Sequence, residues 1–488
     1  MIPNHRTALR NVTPLALAIA LSACASVPDL GNSPTPRTPA AIASQQSLAA
    51  SSAGQWPGDG WWQAFGDPQL DALITEGLAG SPDAAAAAAR LRRAEAAVQS
   101  AGGALLPSLD VAGEGGWQKQ SYNVGFPKEF VPKGWKQRGQ ASADLSFDLD
   151  LWGKNRATLA AATSEAEAAR IETAQARLTL ATSIAAAYAD LARLYADRDV
   201  LVAALDLRIA TQKLVANRVA TGLDTRAELK QADAAVPAAR ADLVAIDDMI
   251  SATRHQLAEL LGAGPDRGLA IARPALARLL TPGVPAQTTT ELIGRRPDIA
   301  AARARAEAAA SRIKVARADF YPAVSLSALV GVQSLGFDNL VRKDSIFGNV
   351  GPAISLPIFR GGSLAGQYRG ARATYDEAVA DYDRTILAAY REVADAVTSQ
   401  RSIAEQLTQS RQALADSEEA YAIARKRYEG GLSTYLDVLT AEERVLQARR
   451  AAAELDARRF GIDITLVRAL GGGFAAPATV SSKEDQNG

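Results

Sequence analysis

Between Ala141 and Trp152 apolar and polar residues alternate without a break: Ala141, Ala143, Leu145, Phe147, Leu149 and Leu151 fall on one face, Ser142, Asp144, Ser146, Asp148 and Asp150 on the other. A period of two held for about a dozen residues predicts a strand from Ala141 to Trp152, long enough to cross a membrane at a tilt. Leu109 to Trp117 alternates likewise, with Asp110 and Glu114 on its polar face. Further on, Val324, Leu326, Ala328, Val330 and Val332 share one face, and Val350, Ile354, Leu356 and Ile358 share another, where Pro352 and Pro357 predict an end or a bulge. Elsewhere the period lengthens. Lys154 to Ala220 and Ser363 to Glu429 contain no Pro, and apolar residues recur at spacings of three and four, as in Ile184, Tyr188, Leu191, Tyr195 and in Tyr382, Ile386, Tyr390, Val393, Val397. Each stretch predicts a helix roughly 100 Å long with coiled-coil-like spacing. Both stop at a tight turn, Thr221-Gly222-Leu223-Asp224 and Gly430-Gly431-Leu432-Ser433. Gly supplies the left-handed cap, and Asp224 or Ser433 is expected to cap the returning helix.

The same order of patterns occurs twice. Pro82-Asp83 recurs as Pro297-Asp298 at an offset of 215, which also pairs Arg90 with Arg305 and Leu106-Pro107 with Tyr321-Pro322. At the turns the offset is 209, pairing Arg218, Gly222-Leu223 and Thr225 with Arg427, Gly431-Leu432 and Thr434. The change locates a longer loop in the first copy, near Tyr122 to Lys136. The expected organisation is a leader (1–23), an N-terminal collar segment (24–81), a first repeat (82–261) and a linker or small irregular segment (262–296). A second repeat (297–470) and a disordered tail (471–488) follow.

The leader decides the compartment. His5, Arg6 and Arg10 precede the apolar stretch Val12 to Leu21, followed by Leu21-Ser22-Ala23-Cys24. This is a secretory leader ending in a sequence that resembles the bacterial lipobox, which implies cleavage before Cys24 and acylation of that residue. Ala25 stands where an Asp would resemble an inner-membrane retention signal, so the expected address is the outer membrane, anchored at its periplasmic leaflet. Composition then works by exclusion. The 488 residues carry 53 Lys+Arg against 53 Asp+Glu, with one Cys and two His. A balanced charge without a basic face argues against a nucleic-acid partner. A lone Cys forbids an intrachain disulfide and thiolate metal clusters. With His5 in the leader, His255 is the one remaining imidazole and reads as a helix-surface residue. No metal, no cofactor and no enzymatic activity are expected.

Four strands cannot close a barrel, and open strand edges are not tolerated in lipid. The chain must therefore pool strands with copies of itself, and a homotrimer supplies twelve. At this point the sequence resembles the TolC-like outer-membrane efflux proteins, specifically the lipoprotein branch serving resistance-nodulation-division pumps. The residues that carry the likeness are Trp61-Trp62-Gln63-Ala64-Phe65-Gly66-Asp67-Pro68-Gln69-Leu70, Asp148-Leu149-Asp150-Leu151-Trp152-Gly153, Arg295-Arg296-Pro297-Asp298 and Arg427-Tyr428-Glu429-Gly430-Gly431-Leu432-Ser433-Thr434-Tyr435-Leu436-Asp437-Val438-Leu439.

The resemblance implies a mainly α fold with a membrane β-barrel. In it a trimeric twelve-stranded barrel continues into a twelve-helix periplasmic barrel, with two tandem structural repeats per chain. It implies a passive exit duct for drugs or other small solutes, with a periplasmic adaptor and an inner-membrane resistance-nodulation-division transporter as partners. It makes Gly222, Leu223, Gly431, Leu432 and Ser433 the adaptor-docking tip, and puts the channel gate at Leu436 and Asp437, with Glu228 corresponding in the first copy. An acidic ring at a narrow neck favours cations; the alternative is that both acids merely complement a helix dipole. Thr440 stands where some relatives have a second acid. Ser433 stands where others have an Arg that latches a Tyr, although Tyr428 is present. Trp61 and Trp62 are expected to pack the collar, and Tyr122, Phe126, Phe130 and Trp135 to lie in the extracellular loop. A type I secretion duct and a lipid-anchored coiled-coil scaffold without a pore are the alternatives.

Overall fold

The computed structural model describes residues 26–38, 42–44, 46–48, 54–123, 125–275, 285 and 288–475. The leader, Cys24 and the tail beyond Ala475 lie outside the described residues. The chain order is α1 (Pro68–Gly80), α2 (Pro82–Gly103), β1 (Ser108–Gln118), β2 (Lys136–Asp148), α3 (Lys154–Ala220), α4 (Arg226–Leu260), α5 (Asp266–Leu269), α6 (Thr288–Arg295), α7 (Pro297–Ala318), β3 (Ala323–Leu335), β4 (Ile346–Ser355), α8 (Ser363–Glu429) and α9 (Tyr435–Ala469). The duplication is visible in the element lengths: α2 and α7 have 22 residues each, α3 and α8 have 67, and α4 and α9 have 35. Packing divides the chain differently, into one unit of residues 1–36, 91–168 and 302–382 and another of 37–90, 169–301 and 383–488.

The first unit holds one antiparallel sheet in the order β1-β2-β3-β4. Its register lines up Leu109, Leu145, Ala328 and Val350 in one row and Val111, Ala143, Val330 and Gly348 in the next. The alternate rows are polar over β1 and β2, as in Asp110 beside Asp144 and Ser108 beside Ser146. Leu109, Val111, Val330, Val350 and Ile354 are all exposed. Five large apolar side chains left in water forgo roughly 10 kcal/mol of transfer free energy, so this face calls for lipid. Pro352 sits inside β4, tolerated because β4 is an edge strand whose outer side has no partner among the described residues.

The alternation of residues 141–152 overstates the second strand at its end. β2 begins earlier, at Lys136, and stops at Asp148. Asp150 takes a left-handed conformation, φ 45°, and its carboxylate accepts the backbone N–H groups of Asn155 (2.9 Å) and Arg156 (3.0 Å), capping α3. Beyond that turn Trp152 stacks on Tyr321 at 4.7 Å and donates its indole N–H to the Pro322 carbonyl at 2.8 Å.

In the second unit, Trp61, Phe65, Leu70, Leu73 and Ile74 bury against Ile184, Tyr188, Leu191 and Leu257. Asp67 caps α1 through Gln69 N–H (2.9 Å) and accepts the Tyr188 hydroxyl at 2.7 Å, while Trp62 donates to Asp71 at 2.8 Å. The two tryptophans therefore pack the core and hold α1. Arg296, 6% exposed, forks onto Asp298 (3.0 and 2.6 Å), reaches Glu392 on α8 at 2.8 Å, and donates to the Ala469 carbonyl at the end of α9 at 3.0 Å. The start of the tail is packed rather than free. Gly471, Gly472 and Gly473 all have positive φ, and a Cβ on Gly473 would meet the Asp59 backbone nitrogen at 2.6 Å. Among the described residues no helix is long and apolar enough to cross a membrane.

Candidate functional site

The two turns close in the same way because both place Gly two residues beyond the last helical residue. Gly222 (φ 76°) and Gly431 (φ 72°) adopt the left-handed conformation. Leu223 N–H then donates to Arg218 O at 2.8 Å and Leu432 N–H to Arg427 O at 2.7 Å, the six-to-one closure of a Schellman turn. A Cβ at either glycine would meet nothing within 4 Å, so it is the backbone conformation, and not crowding, that requires glycine. The closure leaves Leu223 and Leu432 outermost, 65% and 73% exposed. Ser433 lies behind them, its hydroxyl 3.5 Å from the Ala424 carbonyl.

The return helices are capped one residue later than expected, by Thr225 and Thr434 in place of Asp224 and Ser433. Each cap uses the acid three residues on, the reciprocal pairing of a capping box. The Glu228 carboxylate accepts Thr225 N–H at 3.0 Å and contacts its hydroxyl. The Asp437 carboxylate accepts Thr434 N–H and the Thr434 hydroxyl, both at 2.9 Å. The Thr225 hydroxyl holds the Glu228 carboxyl below its usual range, and the Thr434 N–H does the same for Asp437, so both are ionised at neutral pH. Asp437 remains exposed beside Leu436, which is 63% exposed.

Asp224 is free for another task. It pairs with Arg218 at 2.9 Å, each side chain 11% exposed, and accepts the hydroxyl of Tyr428 from the other hairpin. Arg218 lies over the Tyr428 ring at 4.3 Å and donates to the Tyr428 carbonyl at 2.8 Å. Burial, then the Asp224 hydrogen bond, raises the Tyr428 phenol well above its ordinary value, so it stays a donor. Beneath them Val215, Ala232, Tyr428, Tyr435 and Val438 form a core that joins the two hairpins. The sequence singled out Tyr428, assigned Asp224 to the helix cap and used Arg218 only to align the two copies; their pairing with Tyr428 was missed. The available signal was the mismatch between the copies, since the positions equivalent to Asp224 and Tyr428 hold Ser433 and Val219.

His255 is exposed on α4, and among the described residues no cluster of His, Cys, Asp and Glu could hold a metal.

Known proteins share both the sequence and the architecture. The outer membrane efflux protein family profile matches residues 73–263 and 289–472. The pyoverdine export outer membrane protein OpmQ of Pseudomonas putida is 32% identical over 471 residues, covering 96% of this chain and 98% of that protein. The multidrug resistance outer membrane protein MdtP of Escherichia coli K12 is 31% identical over 439 residues, covering 88% and 89%. The crystal structure of the outer membrane protein VceC from Vibrio cholerae superimposes with a TM-score of 0.81 at 43% identity, covering 86% of this chain and all of that one. The chain belongs to the outer membrane efflux protein family, a family of outer-membrane channel proteins and not of enzymes.

Proposed function

We propose that three copies of this chain form the outer-membrane duct of a tripartite efflux pump, passing small solutes delivered by an inner-membrane transporter through a periplasmic adaptor. The observation that carries the reading is the four-stranded sheet, which has an exposed apolar face and an unpaired edge on each side among the described residues. Joining β4 of one copy to β1 of the next closes twelve strands and leaves no edge in lipid. The relatives are named for pyoverdine export and multidrug resistance, which favours small-solute efflux over type I protein secretion.

In this reading Leu223 and Leu432, carried on Gly222, Gly431 and Ser433, are the adaptor-docking tip. Leu436 and Asp437, with Glu228 in the first hairpin, line the gate, and their capping role fixes where the carboxylates stand. Cys24 carries the lipid anchor. In support, the chain after it lies along the start of α8, where the carbonyls of Gly31 and Asn32 accept Arg372 and that of Pro34 accepts the Tyr375 hydroxyl at 3.2 Å. Those turns follow β4 in the chain and belong to the same unit as the sheet. Single cysteines at Ala112 on β1 and Gly351 on β4, joined by a short bifunctional reagent in outer membranes of a Cys24-containing strain, test the closure. A ladder ending at the trimer is expected; monomer alone would sink the reading. Cys24→Ser is expected to abolish fatty-acid labelling, and retained label would remove the anchor.

A further inference from the structure

The buried stripe of α9 near the tip runs Tyr435, Val438, Glu442, Val445 and Leu446, a helical face on which four positions are apolar and one is a carboxylate. Glu442 is 2% exposed. Its partners come from the other hairpin: Arg208 Nε at 3.6 Å and the Thr211 hydroxyl at 3.3 Å, both on α3. Arg208 in turn donates to the Ala235 carbonyl of α4 at 3.2 Å. From α8 the hydroxyl of Tyr421 reaches Thr211, with Arg425 and Glu429 behind it, and on α9 itself Tyr435 and Glu443 are near. One carboxylate is thus packed among elements of both hairpins, and the cation paired with it among the described residues, Arg208, stands at a distance too long for a good charge-assisted bond.

Burial without strong pairing penalises the ionised form. Separating the hairpins would return the carboxylate to water and lift the penalty. We propose that Glu442 makes closure of the tip proton-sensitive, the neutral acid holding the hairpins of one protomer together and the ionised carboxylate favouring their separation. The inference rests on the reading of the tip as the gate. Desolvation raises the Glu442 value above the ordinary carboxylate range. The sign follows: the packed state binds the proton more tightly than the separated one, so lowering the pH favours closure, by on the order of tenfold per unit of difference between the two states. Glu228 and Asp437 are held below that range and do not titrate in the same window.

The test is conductance of purified trimers in planar bilayers between pH 8 and pH 5, in a Tyr428→Phe background, which is expected to hold the tip partly open by deleting the bond to Asp224. Open probability is expected to fall several-fold as the pH is lowered. Glu442→Gln, isosteric with the neutral acid, should stay at the low value with no pH dependence in this range. Arg208→Gln removes the cation that favours ionisation, and should move the midpoint to higher pH. It also checks the result from another helix, should either variant assemble poorly. A Glu442→Gln channel that keeps the pH dependence, or is more open than its parent at pH 8, overturns the proposal while leaving the duct intact. Absence of conductance from the wild type and from Tyr428→Phe alike overturns the duct reading itself.

Discussion

Replacing the buried Arg296 by Ala should destabilise the second unit strongly. Its guanidinium is nearly buried and makes bonds of 3.0 and 2.6 Å to Asp298, 2.8 Å to Glu392 and 3.0 Å to the Ala469 carbonyl. Removing one member of a buried charge network costs about 3–5 kcal/mol because the partners are left unpaired. Here the Asp298 and Glu392 side chains retain 29% and 35% exposure, so water can recover part of the loss and the lower end, about 3 kcal/mol, applies. Arg296→Lys keeps the charge but not the planar fork, and should lose about 1–2 kcal/mol. A large membrane protein unfolds irreversibly, so the appropriate assay is its rate of unfolding in detergent at fixed temperature. A loss of 3 kcal/mol expressed wholly in unfolding accelerates it by about 150-fold. Arg391→Ala, which breaks only the exposed pair with Asp395 at 3.0 Å, is the control and should change little. If Arg296→Ala unfolds less than about threefold faster than wild type, or no faster than Arg391→Ala, the clamp is not structural.

Tyr428→Phe deletes the hydroxyl that Asp224 accepts and should raise single-channel open probability with little change in melting; an unchanged channel would separate this contact from gating. Asp437→Ala should lower cation preference or raise conductance, and because the carboxylate also accepts Thr434 N–H, Asp437→Asn serves to distinguish lost charge from a lost cap. Asp463 on α9 is 5% exposed with one carboxylate oxygen unpartnered among the described residues, and burial pushes it up to about 7. Its folded value lies above its unfolded one, so the penalty is absent below about pH 4 and complete above about pH 7. Asp463→Asn should therefore stabilise the protein by up to about 4 kcal/mol at pH 8 and not at pH 4, as followed by unfolding rates; equal effects at the two pH values would contradict the assignment.

The strands and long helices were legible because their signals are local. Period two in 141–147, the absence of Pro in 154–220 and 363–429, and a Gly at each turn each need only a short window. What escaped depended on contacts distant in the chain or on a single backbone angle. The end of β2 is set by Asp150 turning left-handed to cap α3, while the apolar alternation runs on to Leu151. The cap positions were misread by one residue, although Thr-x-x-Glu and Thr-x-x-Asp stood in the sequence as 225–228 and 434–437. The Gly-Leu pair completes the Schellman closure first, which leaves Asp224 within reach of Arg218 and passes the cap to Thr225. The latch joins Arg218 and Asp224 to Tyr428, some two hundred positions away, and only differences between the two copies hinted at it. Arg296 was visible as a motif, but its partners on α8 and α9 were not.

The most direct test of the central claim is a joint measurement of mass and conductance on the protein extracted from outer membranes. A trimeric mass together with stepwise, voltage-stable conductance in a planar bilayer, increased by Tyr428→Phe, is the predicted result. A monomer that leaves the bilayer silent, with or without Tyr428→Phe, would contradict it.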